Sequence, residues 1–134
     1  MFAGKRPTNL GVQNGKLAPC PNTPNCVNSQ STNPLCQIAP LTYTSGGTQA
    51  IADLKTVLYN LERTTIVTEA PNYLYAEFKS ALMGFVDDGE FYLDEAEHVI
   101  HVRSASRLGQ SDLGVNRKRI ETIRAKLQAL QSQG

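Results

Sequence analysis

Residues 103–119 hold five of the chain's thirteen basic residues, three serines, two glycines and an asparagine, all between a strand pattern and a helix pattern. A connection needs far less polar chemistry. Free backbone N–H groups at a helix N-terminus, approached closely through Gly109, form an anion site. Ser104, Ser106 and Ser111 add hydroxyl donors, Asn116 an amide, and Arg103, Arg107 and Arg117 charge-assisted, bidentate donors. With Ser111 or Asp112 capping the helix, the set suits a small phosphate or carboxylate, or an acidic protein surface.

The same residues also have a plain structural use. Ser111 and Asp112 can simply cap, Gly109 can simply turn the chain, and Arg117 and Arg124 can pair with Asp87 or Asp88. Arg117 and Glu121 are themselves an i,i+4 pair. Yet Arg117, Lys118 and Arg119 stand early in the helix, where the macrodipole disfavours cations, so they require an anion. An enzymatic alternative uses Asp88 or Asp112 as acid or base, with the arginines stabilising developing negative charge. No histidine stands near a serine and no nucleophile motif is present, so binding leads catalysis. A scaffold without a pocket is the third reading. A pocket of about 300 Å³ or more, lined by the arginines and Asp88, separates a ligand site from a flat scaffold surface.

Cys20 and Cys26 stand six positions apart in a proline-stiffened loop, and Cys36 follows ten later. Zinc sites usually draw four ligands in tight pairs. His98 and His101 are three apart on a strand and point to opposite faces, so neither a metal site nor a cofactor is expected. A Cys20–Cys26 disulfide is sterically allowed but needs an oxidising compartment, which leaves reduced, partly buried thiols as the default. Tyr73, Tyr75 and Tyr92 share a face with Arg103, like a base-stacking sheet. Glu77, Glu90 and Asp94 on that face would repel a phosphate backbone, so nucleic acid is not expected as a partner.

These side chains must be held by a definite set of elements. Six of the seven prolines lie in the first forty residues, with no sustained periodicity. Residues 1–18 read as a flexible N-terminal arm and residues 19–134 as a single domain. Residues 41–44 form a short strand ended by Gly46 and Gly47. Thr48 then caps a helix whose stripe is Ile51, Leu54, Val57, Leu58 and Leu61. Four strands follow, over residues 64–69, 73–80, 85–94 and 98–104. In the second, Leu74, Ala76 and Phe78 oppose Tyr73, Tyr75, Glu77 and Lys79. In the third, Phe91 and Leu93 oppose Glu90, Tyr92 and Asp94; in the fourth, Ile100 and Val102 oppose His101 and Arg103. A last helix spans residues 113–130, with Ile120, Ile123, Leu127 and Leu130 in its stripe. The order β-α-β-β-β-β-α predicts an α+β fold. It would have a mainly antiparallel sheet of about five strands, covered on one side by both helices.

Charge is uneven along the chain although the net value is only +1. Residues 69–97 carry eight acids against Lys79 alone, and residues 103–126 carry seven bases against Asp112 and Glu121. The balance excludes a globally basic nucleic-acid binder, and the asymmetry provides either internal pairing or a bipolar surface. No apolar run approaches the roughly 20 residues that span a bilayer. The first residues lack an apolar export core, so no membrane insertion and a cytoplasmic location are expected.

Two blocks carry a resemblance. Cys20-Pro-x-Thr-Pro-Asn-Cys26-Val27-x-Ser29 is one; Arg103-Ser-x-Ser-Arg-x-Gly-x-Ser-Asp-x-Gly-x-Asn-Arg-x-Arg119 is the other, and Phe85-Val-Asp-Asp88 adds a strand entry. Together they are similar to domain-of-unknown-function family 1499, found in bacteria, including cyanobacteria, and in plastid-containing eukaryotes. The resemblance spans about residues 19–127. It implies that the Cys20–Cys26 loop and segment 103–119 belong to one design, with Cys36 outside the pattern. It implies no established activity. Some members carry export or membrane segments.

Overall fold

The computed structural model describes residues 3–109 and 112–133. Along the chain come β1 (Cys26–Asn28), β2 (Leu41–Thr42), α1 (Gly47–Tyr59), β3 (Thr64–Ala70) and β4 (Tyr73–Lys79), then β5 (Val86–Asp94), β6 (Val99–Ser106) and α2 (Val115–Gln131). The strands form one antiparallel sheet in the order β1-β6-β5-β4-β3, with β2 pairing the start of β6. The α+β fold expected from the sequence is therefore present, with six strands instead of five. The extra one is β1. Its three residues are too few to show alternation, and they sit in a stretch rich in proline and asparagine.

Both helices pack on one face. α1 buries Ile51, Leu54, Val57 and Leu58, and α2 buries Ile120, Ile123 and Leu127. They meet Leu74, Ala76, Phe78, Phe91, Leu93, Ile100 and Val102 from the sheet. Each fully buried leucine or phenylalanine there contributes about 1.5–3 kcal/mol relative to exposure. Thr48 does not cap α1: Gly46 is the N-cap and the helix begins at Gly47. A Cβ on Gly47 would lie 2.9 Å from Leu93 Cδ2, so the helix starts closer to the sheet than a side chain permits.

The opposite face is not open to solvent, contrary to the one-sided cover expected. Strand pleating directs Tyr73, Tyr75, Glu77, Asp88, Glu90 and Arg103 away from the helices, yet Tyr75, Asp88, Glu90 and Arg103 are buried. N-terminal residues cover them. The Gly11 N–H donates to Glu90 Oε2 at 2.6 Å, and Arg6 Nε donates to Glu77 Oε2 at 2.8 Å. Arg103 donates to the carbonyls of Ala18 and Pro19 at 2.8 and 3.2 Å. Cys20 and Cys26 form a disulfide, not the reduced pair taken as the default, and it ties this segment to β1. Cys36 is a buried free thiol. Among the described residues, no helix is long and apolar enough to cross a membrane.

Candidate functional site

Asp87 and Asp88 are neighbours in β5, so pleating sends them to opposite faces of the sheet. Their register partners follow suit: Asp88 lies between Glu77 and Ala105, Asp87 between Phe78 and Ser106. Each carboxylate anchors a different polar cluster.

On the arm face, Asp88 is almost fully buried. It accepts a bidentate pair from Arg107, Nε to Oδ2 at 2.8 Å and Nη2 to Oδ1 at 2.9 Å, together with the Tyr75 hydroxyl. Arg107 Nη2 also donates to Glu77 Oε2 at 2.6 Å. These hydrogen bonds, Asp88 first, hold the Arg107 guanidinium above its ordinary pKa despite partial burial. Burial alone would raise Glu77, but hydrogen bonds from Arg6, Arg107 and Tyr75 hold it below the usual carboxylate range. Burial, then hydrogen bonds to Glu90 and Asp88 respectively, pushes the phenols of Tyr73 and Tyr75 well up. Burial lowers Arg103, against the pull of Glu90 and Asp88. Glu90 Oε1 is buried with no hydrogen-bond partner among the described residues, across the ladder from Arg103.

A cleft of about 370 Å³ opens beside this cluster. Lys5 and Asn9 of the arm form one wall, Thr23 and Asn25 of the disulfide loop another, and Asp88, Arg103 and Arg107 also line it. Lys5 is exposed and enters no ion pair among the described residues.

The helix face is built around Asn116, which is wholly buried. Ser104 Oγ donates to Asn116 Oδ1 at 2.6 Å, and Arg119 Nη1 donates to the same oxygen at 2.8 Å. Asn116 Nδ2 donates to Asp112 Oδ2 at 2.7 Å, Ser106 Oγ at 2.9 Å and the Asn25 carbonyl at 3.2 Å. Arg119 also pairs with Asp87 at 2.9 Å and lies over the Phe78 ring at 4.6 Å. Gly89 makes that arrangement fit, since a Cβ there would sit 2.5 Å from Phe78 Cε2.

Asp112 accepts the N–H groups of Gly114 at 2.8 Å and Asn116 at 3.0 Å. The chain's own carboxylate thus occupies the anion position at this helix start. Burial would raise Asp112, but these bonds and the Asn116 amide outweigh it and hold the carboxyl low. Gly114 itself is the N-cap at φ +81, a conformation suited to glycine. A second cavity of about 370 Å³, mainly apolar, lies between Phe85, Val86, Leu108 and Val115, with Asp87, Ser106 and Asp112 at its polar edge.

The residues singled out in segment 103–119 therefore separate. Arg103, Arg107 and Ser106 line the polar cleft, while Ser106 and Asp112 line the apolar cavity. Ser104 and Asn116 are buried between sheet and helix. Arg117 donates to the Gln37 carbonyl, away from the cleft. Ser111 lies outside the described residues. The pairings differ from those expected: Asp87 takes Arg119 and Asp88 takes Arg107. Glu121 takes Arg124, which also reaches the carbonyls of Ala39 and Pro40. Alternation put Tyr75 and Glu77 on the face of Asp88, and that signal was legible. Nothing local in the sequence marks Lys5 or Asn25 as neighbours of Arg107.

A family model described as protein of unknown function (DUF1499) matches residues 16–127. Comparison with curated proteins and comparison with solved structures each found no match.

Proposed function

The chain belongs to the DUF1499 family, and from its geometry we propose that it binds a small anionic ligand, a carboxylate or phosphate, in the cleft beneath the N-terminal arm. The observation that carries this reading is the cleft's volume, about 370 Å³, combined with its lining of Lys5, Arg103 and Arg107. Pockets of this size accept small molecules, with few convergent polar groups setting orientation. Within the cluster, Arg6 and Arg107 are already matched by Glu77 and Asp88. Among the described residues, Lys5 is an exposed cation of the cleft that enters no ion pair, and so can meet an incoming charge. Arg107 and Arg103 are held rigidly, which supports a role in shaping the site more than in reaching for the ligand. Asp88 is saturated by Arg107 and Tyr75, and Asp112 is occupied by the Gly114 and Asn116 N–H groups and the Asn116 amide, so neither supports the acid–base chemistry of the enzymatic alternative. Asn116, Ser104 and Arg117 support the fold on this reading, not ligand contact.

The disulfide carries one wall of the cleft, which supports an oxidising working environment over the cytoplasmic one.

Thermal denaturation of the full chain with inorganic phosphate, sulfate and small mono- and dicarboxylates tests the proposal. A ligand at 100 times its dissociation constant adds about 2.7 kcal/mol of stability. That increment is expected for at least one anion class and is expected to vanish in Lys5→Glu, an exposed substitution. If no anion stabilises the chain, or Lys5→Glu leaves the increment whole, the proposal fails.

A further inference from the structure

At the far end of β5 and β6, about 20 Å from Asp88 along the strand, the hairpin turn gathers a different set of groups. One ligand atom each from Asp94, Glu97 and His101 lies within 4.8 Å of the others. His101 is buried and held from behind: its Nδ1 is 3.0 Å from Ser29 Oγ, which also accepts the Val102 N–H at 2.8 Å. That contact turns Nε2 toward the carboxylates, 2.8 Å from Glu97 Oε1. In metal-ligating histidines one ring nitrogen is held by an outer-shell oxygen and the other faces the ion; here Ser29 is placed to be that oxygen. Among the described residues, neither Asp94 nor Glu97 pairs with a lysine or arginine. The neighbouring Glu95 is different: its Oε2 approaches Gly47 at the start of α1, where the helix dipole favours an anion.

We propose that Asp94, Glu97 and His101 form a binding site for one divalent transition-metal ion of the zinc class. One imidazole nitrogen and two carboxylate oxygens are a borderline donor set. It suits Zn²⁺, with Co²⁺ or Mn²⁺ as substitutes, whereas Ca²⁺ takes six to eight oxygens. Ligands about 2.1 Å from a tetrahedral ion stand about 3.4 Å apart. The His101–Glu97 pair, at 2.8 Å, must open slightly to admit the ion, and the exposed Glu97 side chain can supply that adjustment. Three protein ligands leave a position for water on the solvent side. Pairing His101 with His98 hid the set in the sequence, because the carboxylates across the turn are its true neighbours.

The test is titration of the chelator-treated full chain with Zn²⁺ by calorimetry and with Co²⁺ by visible absorption. One equivalent is expected to bind. Ser29→Ala is expected to weaken binding about 10–100-fold, and Glu97→Gln and His101→Gln to weaken it further. Glu97→Gln changes an exposed side chain, so its metal-free melting temperature should match the parent's. Cys36→Ser should leave binding intact. Sub-stoichiometric uptake, uptake indifferent to Glu97→Gln and His101→Gln, or uptake lost in Cys36→Ser would each overturn the proposal.

Discussion

Asp87 and Asp88 are covalent neighbours with opposite fates. Asp87 faces the helices and meets Arg119, which is held over Phe78 and bonded to the buried Asn116. Asp88 faces the arm and meets Arg107, in a cluster roofed by residues far away in sequence. The helix-face cluster is closed by secondary structure and does architectural work. The arm-face cluster is closed by irregular chain and borders an open polar cleft. A carboxylate's use here depends less on its own identity than on what covers it.

The largest effect should come from unpairing Asp88. Arg107→Met leaves a buried carboxylate without its cation, a loss of about 3–5 kcal/mol, measurable by urea unfolding. A cost under 1 kcal/mol would mean the arm-face cluster is wet and weak, and the comparison would collapse. Asn116→Ala attacks the other face. It takes from Ser104 Oγ and Arg119 the acceptor they share and removes one bond each from Asp112 and the Asn25 carbonyl. About 2–3 kcal/mol should be lost, with the melting temperature as readout. If the two losses prove non-additive, the faces communicate through Asn25, whose carbonyl serves Asn116 and whose amide serves Gly109.

Reduction of the Cys20–Cys26 disulfide should cost about 2 kcal/mol, the chain-entropy value for a loop this short. Its effect should be confined to the arm face. Hydrogen exchange at the Gly11 N–H should speed up on reduction, while exchange in α2 should not. Protection lost equally on both faces would contradict the separation drawn here.

Titration offers the finest cut. Tyr73 and Tyr75 have raised pKa values in the folded state, so the stability they contribute is complete below about pH 10 and is lost as pH rises further. Both lie on the arm face, so alkali should loosen the arm before α2. Glu77 and Asp112 have lowered values, so their contribution is complete above about pH 4 and is lost on acidification. One lies on each face, so acid should weaken both together. Hydrogen exchange followed at high and low pH checks the contrast.

Much of the architecture was readable in advance. The period-2 runs in β4, β5 and β6 and the stripes of α1 and α2 declared which side of each element is apolar. An antiparallel sheet under two helices follows from them. Segment 103–119 stands out in the sequence as rich in serines, arginines and Asn116, yet the structure divides those groups between the two faces of the sheet. The assignment of partners was less legible. Arg117 and Arg124 looked suited to Asp87 and Asp88 by helical spacing, yet Arg119 and Arg107 take those roles, since strand pleat and helix rotation together decide which guanidinium reaches which carboxylate.

By itself the sequence determined the elements, their apolar faces and the neighbourhood of the polar cluster, because hydrophobic periodicity is a local property of the chain. Only the tertiary structure decided that residues 3–18 cover the polar face, and that Lys5 and Thr23 line the same cleft as Arg107. It alone brought His101 to the side chain of Ser29. Those contacts join residues separated by tens of positions through irregular backbone, which carries no period from which a partner can be read.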